Sequence, residues 1–236
     1  MLSIVSEFQS QNVNDVSLPG LLISLLSLVW AGDAMHRAIT PAMLQGVQAT
    51  YGELAEKRVE RWGLFMADSE NLDEISKLER TNAFFNHEVA FRSDQALWQR
   101  EDYWATPLES LGKSQGDCED FVIAKYYTLI TLGIAEEKLR ITYVKALRLN
   151  QAHMVLSYYA TPGSEPVILD NLINTIEKAS RRTDLAPVYS LNSSGMWLER
   201  AKGGSLRVGD ANRLDMWNDL KSRMQEQGMV FIRDVK

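Results

Sequence analysis

The hydrophobic period of this chain changes close to Gly133. Before that point apolar residues recur at spacings of three and four; after it they alternate until a last helix. The pattern predicts an α+β fold, a helical N-terminal half packed on an antiparallel sheet. The 236 residues are enough for one well-packed domain, and 45% hydrophobic with 24% charged residues is an ordinary globular balance. A net charge of −6 without any Lys/Arg cluster argues against nucleic acid as a partner. A single cysteine excludes an intrachain disulfide framework and a multi-cysteine zinc site.

In the helical half, Thr40-Pro41 reads as an N-cap with proline at the first helical position. Leu44, Val47, Tyr51, Leu54 and Arg58 then form one face of a helix running to about Asp68. A second helix carries Leu72, Ile75, Leu78, Asn82, Phe85 and Val89. Asn82 on its apolar face, and Asn86 one turn on, read as structural amides that hold backbone. Trp98, Tyr103, Trp104 and Pro107 read equally as a cleft wall or as core. A third helix starts at Cys118 and ends at Gly133. Strands are expected over residues 140–149, 152–159 and 167–169, with a turn at 161–164. Weaker strand signals fall at 187–190 and 196–200, with a turn at Gly203-Gly204. Leu214, Trp217, Leu220 and Met224 mark a last helix.

Residues 18–30 form an apolar run without charge, too short to span a membrane comfortably. The length suits the core of a signal peptide, and Ala31, Gly32 and Ala34 supply a small-residue cleavage site. The preceding residues lack Lys and Arg, which departs from that pattern, and a buried helix is the other reading. The division expected is therefore residues 1–34 as an export segment and 35–236 as a single domain.

The lone cysteine stands in Gly116-Asp117-Cys118-Glu119-Asp120-Phe121, in the first turn of the third helix. A helix N-terminus favours thiolate over thiol, which makes Cys118 a candidate nucleophile rather than a small buried hydrophobe. Of three histidines, His36 follows the presumed cleavage site and His87 sits beside Glu88 on a helix. His153 opens a strand, and Asp170 ends the next. In an antiparallel hairpin those positions are neighbours. Cys118, His153 and Asp170 thus fit nucleophile, base and orienting carboxylate, with the Cys118 backbone N–H as a donor to the oxyanion and Gln115 as a second candidate. The acids beside Cys118 oppose thiol ionisation. Two readings of Asp117, Glu119 and Asp120 stay open here: helix capping, which is the simpler, and oxygen ligands for calcium.

These residues resemble the bacterial transglutaminase-like cysteine proteinases, and among them the LapG-type periplasmic proteases. The resemblance rests on Gly116 to Phe121 with Ile123 and Lys125, on Asp102-Tyr103-Trp104-Ala105-Thr106-Pro107 with Glu109 and Leu111, on Asn82 to Asn86, on Ala152 to Leu156, and on Leu169-Asp170-Asn171. It implies a papain-like, transglutaminase-type fold and a Cys118–His153–Asp170 triad. It also implies a calcium ion on Asp117, Glu119 and Asp120, which turns the choice away from simple capping. The activity implied is periplasmic cleavage of a large biofilm adhesin in its N-terminal region, at a di-alanine site. The control implied is sequestration by an inner-membrane receptor for cyclic di-GMP. Two rival functions share the same residues: transglutaminase-type acyl transfer to an amine, which also passes through a thioester, and a non-catalytic binding module.

Overall fold

The computed structural model describes residues 38–199 and 204–229. The expected export segment, residues 1–34, lies outside the described residues, as do His36 and Gly203. Three helices come first: α1 (Pro41–Tyr51), α2 (Glu53–Ser69) and α3 (Glu74–Glu88). Thr40 caps α1, its hydroxyl accepting from the Met43 N–H at 3.2 Å. The single helix expected from Pro41 to Asp68 is broken at Gly52, where a φ of +87° turns the chain between α1 and α2. The break re-aims the second segment. Leu54, expected inside, is 72% exposed, and Ala55, Val59, Trp62 and Met66 face the core instead. Ile75 is likewise exposed on α3, whereas Leu78, Asn82 and Phe85 are buried as expected.

Arg58 lies on the inner face of α2 for a polar reason. Its guanidinium donates to the last carbonyls of α5 (Pro107–Lys113), Leu111 O at 2.7 Å and Gly112 O at 2.8 Å. Helix C-termini leave such carbonyls without intrahelical partners, and a cation there also meets the negative end of the helix. Between α3 and α5 run β1 (Ala90–Phe91) and a one-turn helix α4 (Asp94–Leu97). β2 (Gln115–Gly116) follows α5 and pairs in parallel with β1.

The central helix is α6 (Cys118–Thr131). From Phe121 to Ile130 every residue is buried, so α6 is apolar nearly all round, the mark of a helix enclosed by other elements. On one side lies α3, and Trp62 of α2 packs its ring on Phe85 of α3 and Tyr127 of α6. On the other lies the sheet. Trp62 is fully buried and satisfies its indole N–H on Thr128 Oγ1 at 3.0 Å.

The sheet has seven strands in the order β6-β5-β4-β3-β7-β8-β9, with every described pairing antiparallel. Its members are β3 (Leu139–Ala146), β4 (Gln151–Tyr158), β5 (Val167–Leu169), β6 (Glu177–Lys178), β7 (Leu185–Asn192), β8 (Gly195–Glu199) and β9 (Ser205–Gly209). The strand expected over 140–149 is thus shorter, the one expected over 152–159 is shifted by one residue, and residues 147–150 form the hairpin turn between them. The last helix, α7 (Asp215–Glu226), buries Trp217, Leu220 and Met224. No helix among the described residues is long and apolar enough to cross a membrane.

Candidate active site

Cys118 is the first residue of α6, and Asp117 is the N-cap. Its sulfur lies 3.0 Å from Glu119 Oε2 and also faces the backbone N–H of Met154. That contact sets the start of α6 against β4, because Met154 is the neighbour of His153. His153 is buried, and its Nε2 lies 2.8 Å from Asp170 Oδ1. Asp170 immediately follows β5, whose Leu169 pairs with Leu156 on β4. The hairpin register therefore brings His153 and Asp170 together, and α6 brings the cysteine to the same end of β4. All three expected residues gather here; Cys118 and His153 line one cleft of about 680 Å³ with Trp104, Tyr143, Tyr189 and Met216. Of the two expected cleft-wall tryptophans only Trp104 lines it. Trp98 packs against Tyr103 with the rings tilted at 49°, beneath the Lys113 ammonium. Gln115 lies on β2, outside the cleft lining.

Asp170 is tied down on every side. Oδ1 also accepts from the Leu172 N–H at 3.0 Å, and Oδ2 accepts from Arg182 Nη2 at 2.7 Å. Burial by itself would raise this carboxyl, but the bonds from His153, Leu172 and Arg182 prevail and hold it down at about 2. Behind it lies a second cation. Lys125 of α6 is fully buried, and its Nζ donates to Asn82 Oδ1 and Asn86 Oδ1, each at 2.7 Å. The amides in turn hold the loop after β5: Asn86 Nδ2 donates to the Asp170 carbonyl and Asn82 Nδ2 to the Asn174 carbonyl, both at 2.8 Å. The reading of Asn82 and Asn86 as backbone-holding amides thus acquires a target, the segment that carries Asp170. Burial pulls Lys125 down to about 7, with the Asp170 charge opposing.

The acids around Cys118 divide into two sets. Asp120, expected among the cation ligands, is not with them. It is fully buried and turned back over the helix start, accepting from the Ala105 N–H at 2.7 Å and the Asp117 N–H at 3.2 Å. It completes a capping box, so its oxygens already have work inside the protein. Gly116 makes that reach possible: a Cβ there would lie 2.7 Å from both Cβ and Oδ2 of Asp120. Asp117 and Glu119 form the other set, and its third member is Asp94 of α4, itself buried. Asp94, Asp117 and Glu119 each bring a carboxylate oxygen within 4.8 Å of the others.

This trio fits a hard cation. Asp94 Oδ1 and Asp117 Oδ1 are both buried without any hydrogen-bond partner, and buried carboxylate oxygens of that kind need a counter-charge. Without one, burial and then the neighbouring Glu119 push Asp117 up to about 10. Burial takes Asp94 up to about 6, against the Tyr103 N–H that it accepts. The Cys118 thiol is also pushed up, by burial first and then by the Glu119 carboxylate. All-oxygen donors match calcium or magnesium rather than zinc.

The loop that carries Asp102 to Thr106 is fastened to the C-terminal helix. Arg223 of α7 donates to Glu109 Oε2 and to the Trp104 carbonyl, both at 2.6 Å, and Glu109 closes the capping box of α5 on Thr106.

Residues 61–199 match the family described as bacterial transglutaminase-like cysteine proteinase BTLCP. The chain belongs to that family. Solved structures agree with the assignment. Legionella pneumophila LapG treated with EGTA aligns with a TM-score of 0.68 at 42% identity, covering 77% of this chain and 95% of that one. Calcium-bound Legionella pneumophila LapG aligns with a TM-score of 0.66 at 43% identity, covering 77% and 97%. Among curated proteins none matches. The transglutaminase-like fold expected from sequence is therefore the fold observed, and this cysteine proteinase family has a relative solved with calcium. Asp94 and Arg182 escaped the sequence reading. Both lie in segments without hydrophobic period, and nothing adjacent in sequence marks them.

Proposed function

We propose that this protein is a calcium-dependent cysteine endopeptidase of the periplasm. The observation that carries the reading is the convergence in one cleft of the lone cysteine at a helix start with a buried His153–Asp170 pair. Asp170 occupies Nε2, so Nδ1 is the nitrogen that takes the Cys118 proton. The thiolate attacks the scissile carbonyl, and the backbone N–H of Cys118, unused by its helix, donates to the oxyanion. His153 returns the proton to the leaving amine, and water then resolves the thioester. Asp94, Asp117 and Glu119 would hold the calcium ion, whose charge offsets the carboxylates that otherwise keep the thiol protonated.

The substrate class follows from the family resemblance: the N-terminal region of a large surface adhesin, cut at a di-alanine site so that the adhesin leaves the cell. Control by an inner-membrane cyclic-di-GMP receptor, which sequesters the enzyme when the messenger is high, belongs to the same reading. The apolar residues 18–30 support export. The test is incubation of an adhesin N-terminal fragment with wild type, with Cys118→Ala, and with wild type in EGTA. Cleavage by untreated wild type alone is expected. Cleavage by Cys118→Ala refutes the nucleophile, and full cleavage in EGTA refutes the metal. An amine adduct without chain cleavage would favour acyl transfer instead.

A further inference from the structure

Arg182 is a charged side chain kept almost wholly from water at the back of the cleft, only 4% exposed. It lies just after a short 3-10 turn (Ala179–Arg181), in the connection from β6 to β7. Its Nη2 donates to Asp170 Oδ2 at 2.7 Å and to Asp184 Oδ2 at 2.9 Å, and its Nε to Asp184 Oδ1 at 3.0 Å. Nη1 is buried without a hydrogen-bond partner. Stability alone does not explain such a residue. Removing a guanidinium from water is costly, and a well-packed apolar side chain often serves a fold as well or better. An incompletely satisfied fork makes the net gain smaller still.

The geometry accounts for it differently. A carboxylate joined to an imidazole through one oxygen can still rotate about its Cβ–Cγ bond. Here Oδ1 is shared by His153 and the Leu172 N–H, and Oδ2 is taken by Arg182. The planar fork of Arg182 is fixed in turn by the two oxygens of Asp184. An arginine suits this task because it stays charged and presents its donors in a rigid plane. We infer that Arg182 is a positioning residue for the proposed reaction: it locks the Asp170 carboxylate ionised and in plane, so that His153 presents Nδ1 to Cys118. This inference rests on the triad reading above. Arg182 does not line the cleft, so the route from it to His153 runs through its bond to Asp170.

The test uses the full chain with calcium and a small thiol probe, iodoacetamide, whose iodide is displaced by the Cys118 thiolate. Arg182→Met is expected to slow Cys118 alkylation at neutral pH by roughly 10- to 100-fold, the usual effect of removing an outer-shell partner. Arg182→Met also takes a partner from a buried carboxylate and should lower the melting temperature, while calcium binding should stay near wild type. Arg182→Lys should recover part of the rate, and added guanidinium should recover part of it in Arg182→Ala. Alkylation of Arg182→Met at the wild-type rate, with a wild-type pH profile, overturns the inference. If Arg182→Met does not melt cooperatively, Asp184→Asn decides. It loosens the fork without emptying the site, and an unchanged alkylation rate there also overturns the inference. Failure of the triad reading is distinguishable, because then wild-type Cys118 itself reacts no faster than it does in His153→Ala.

Discussion

Asp170 is the residue whose chemistry the fold constrains most. Its folded pKa of about 2 lies below the ordinary value of 3.8, so the sign is that of a paired carboxylate. The stabilisation is present above about pH 4 and is lost as pH falls through 4 towards 2, worth about 2 kcal/mol. Asp170→Asn should remove that acid limb from a pH series of chemical denaturation. It should also reduce turnover by about 10⁴-fold, because an amide can hold the histidine in the wrong tautomer. At this scale the place of a candidate site residue was legible where it sat in a local pattern. Cys118 stood at a helix start, and His153 and Asp170 stood at facing ends of neighbouring strands. The sequence was misleading at Asp120, since three acids within four positions do not reveal which one folds back to cap the helix. It was silent on Asp94, at the start of the one-turn helix α4, and on Arg182, in the irregular connection from β6 to β7.

At the scale of the element, α6 does three things at once. Its first residue carries the thiol, its apolar body fills the space between α3 and the sheet, and Lys125 on it braces the loop after β5. The start of this helix depends on Gly116. Gly116→Ala would drive a Cβ into the Asp120 carboxylate and break the capping box, a loss of about 1 kcal/mol or more. We expect a lower midpoint in denaturant together with weaker calcium binding, since Asp117 and Glu119 flank the displaced turn. A variant that binds calcium as tightly as wild type would contradict this coupling. The strand character of β3 and β4 was legible because both strands pack against α6. The break at Gly52 was not: Val47 and Tyr51 run into Leu54 and Arg58 without losing helical spacing, and only the left-handed backbone at Gly52 separates them.

At the scale of the molecule, the cleft lies where the helical half meets the sheet, and Asp94, Asp117 and Glu119 come from two different helix starts of the helical half. A cation held there binds the folded state and not the unfolded chain, so calcium should raise the melting temperature. At one hundred times its dissociation constant the gain is about 2.7 kcal/mol. Asp94→Asn, which keeps the shape and removes a charge, should shrink that gain and lower the affinity measured by calorimetry. An identical calcium-dependent rise in wild type and Asp94→Asn would remove Asp94 from the ligand set. The seven-strand order was legible only in its centre, β3 to β5, because β7 returns from far along the chain to pair with β3.

The central claim is that Cys118 is a nucleophile activated by His153 once the neighbouring acids are neutralised. The most direct measurement is the rate of Cys118 carboxymethylation at neutral pH, followed by intact mass, for wild type in calcium, wild type in EGTA, and His153→Ala in calcium. The account predicts fast labelling in the first sample and slow labelling in the other two. In EGTA burial and the Glu119 carboxylate hold the thiol protonated; in His153→Ala the base is gone. Equal rates in all three samples would contradict it.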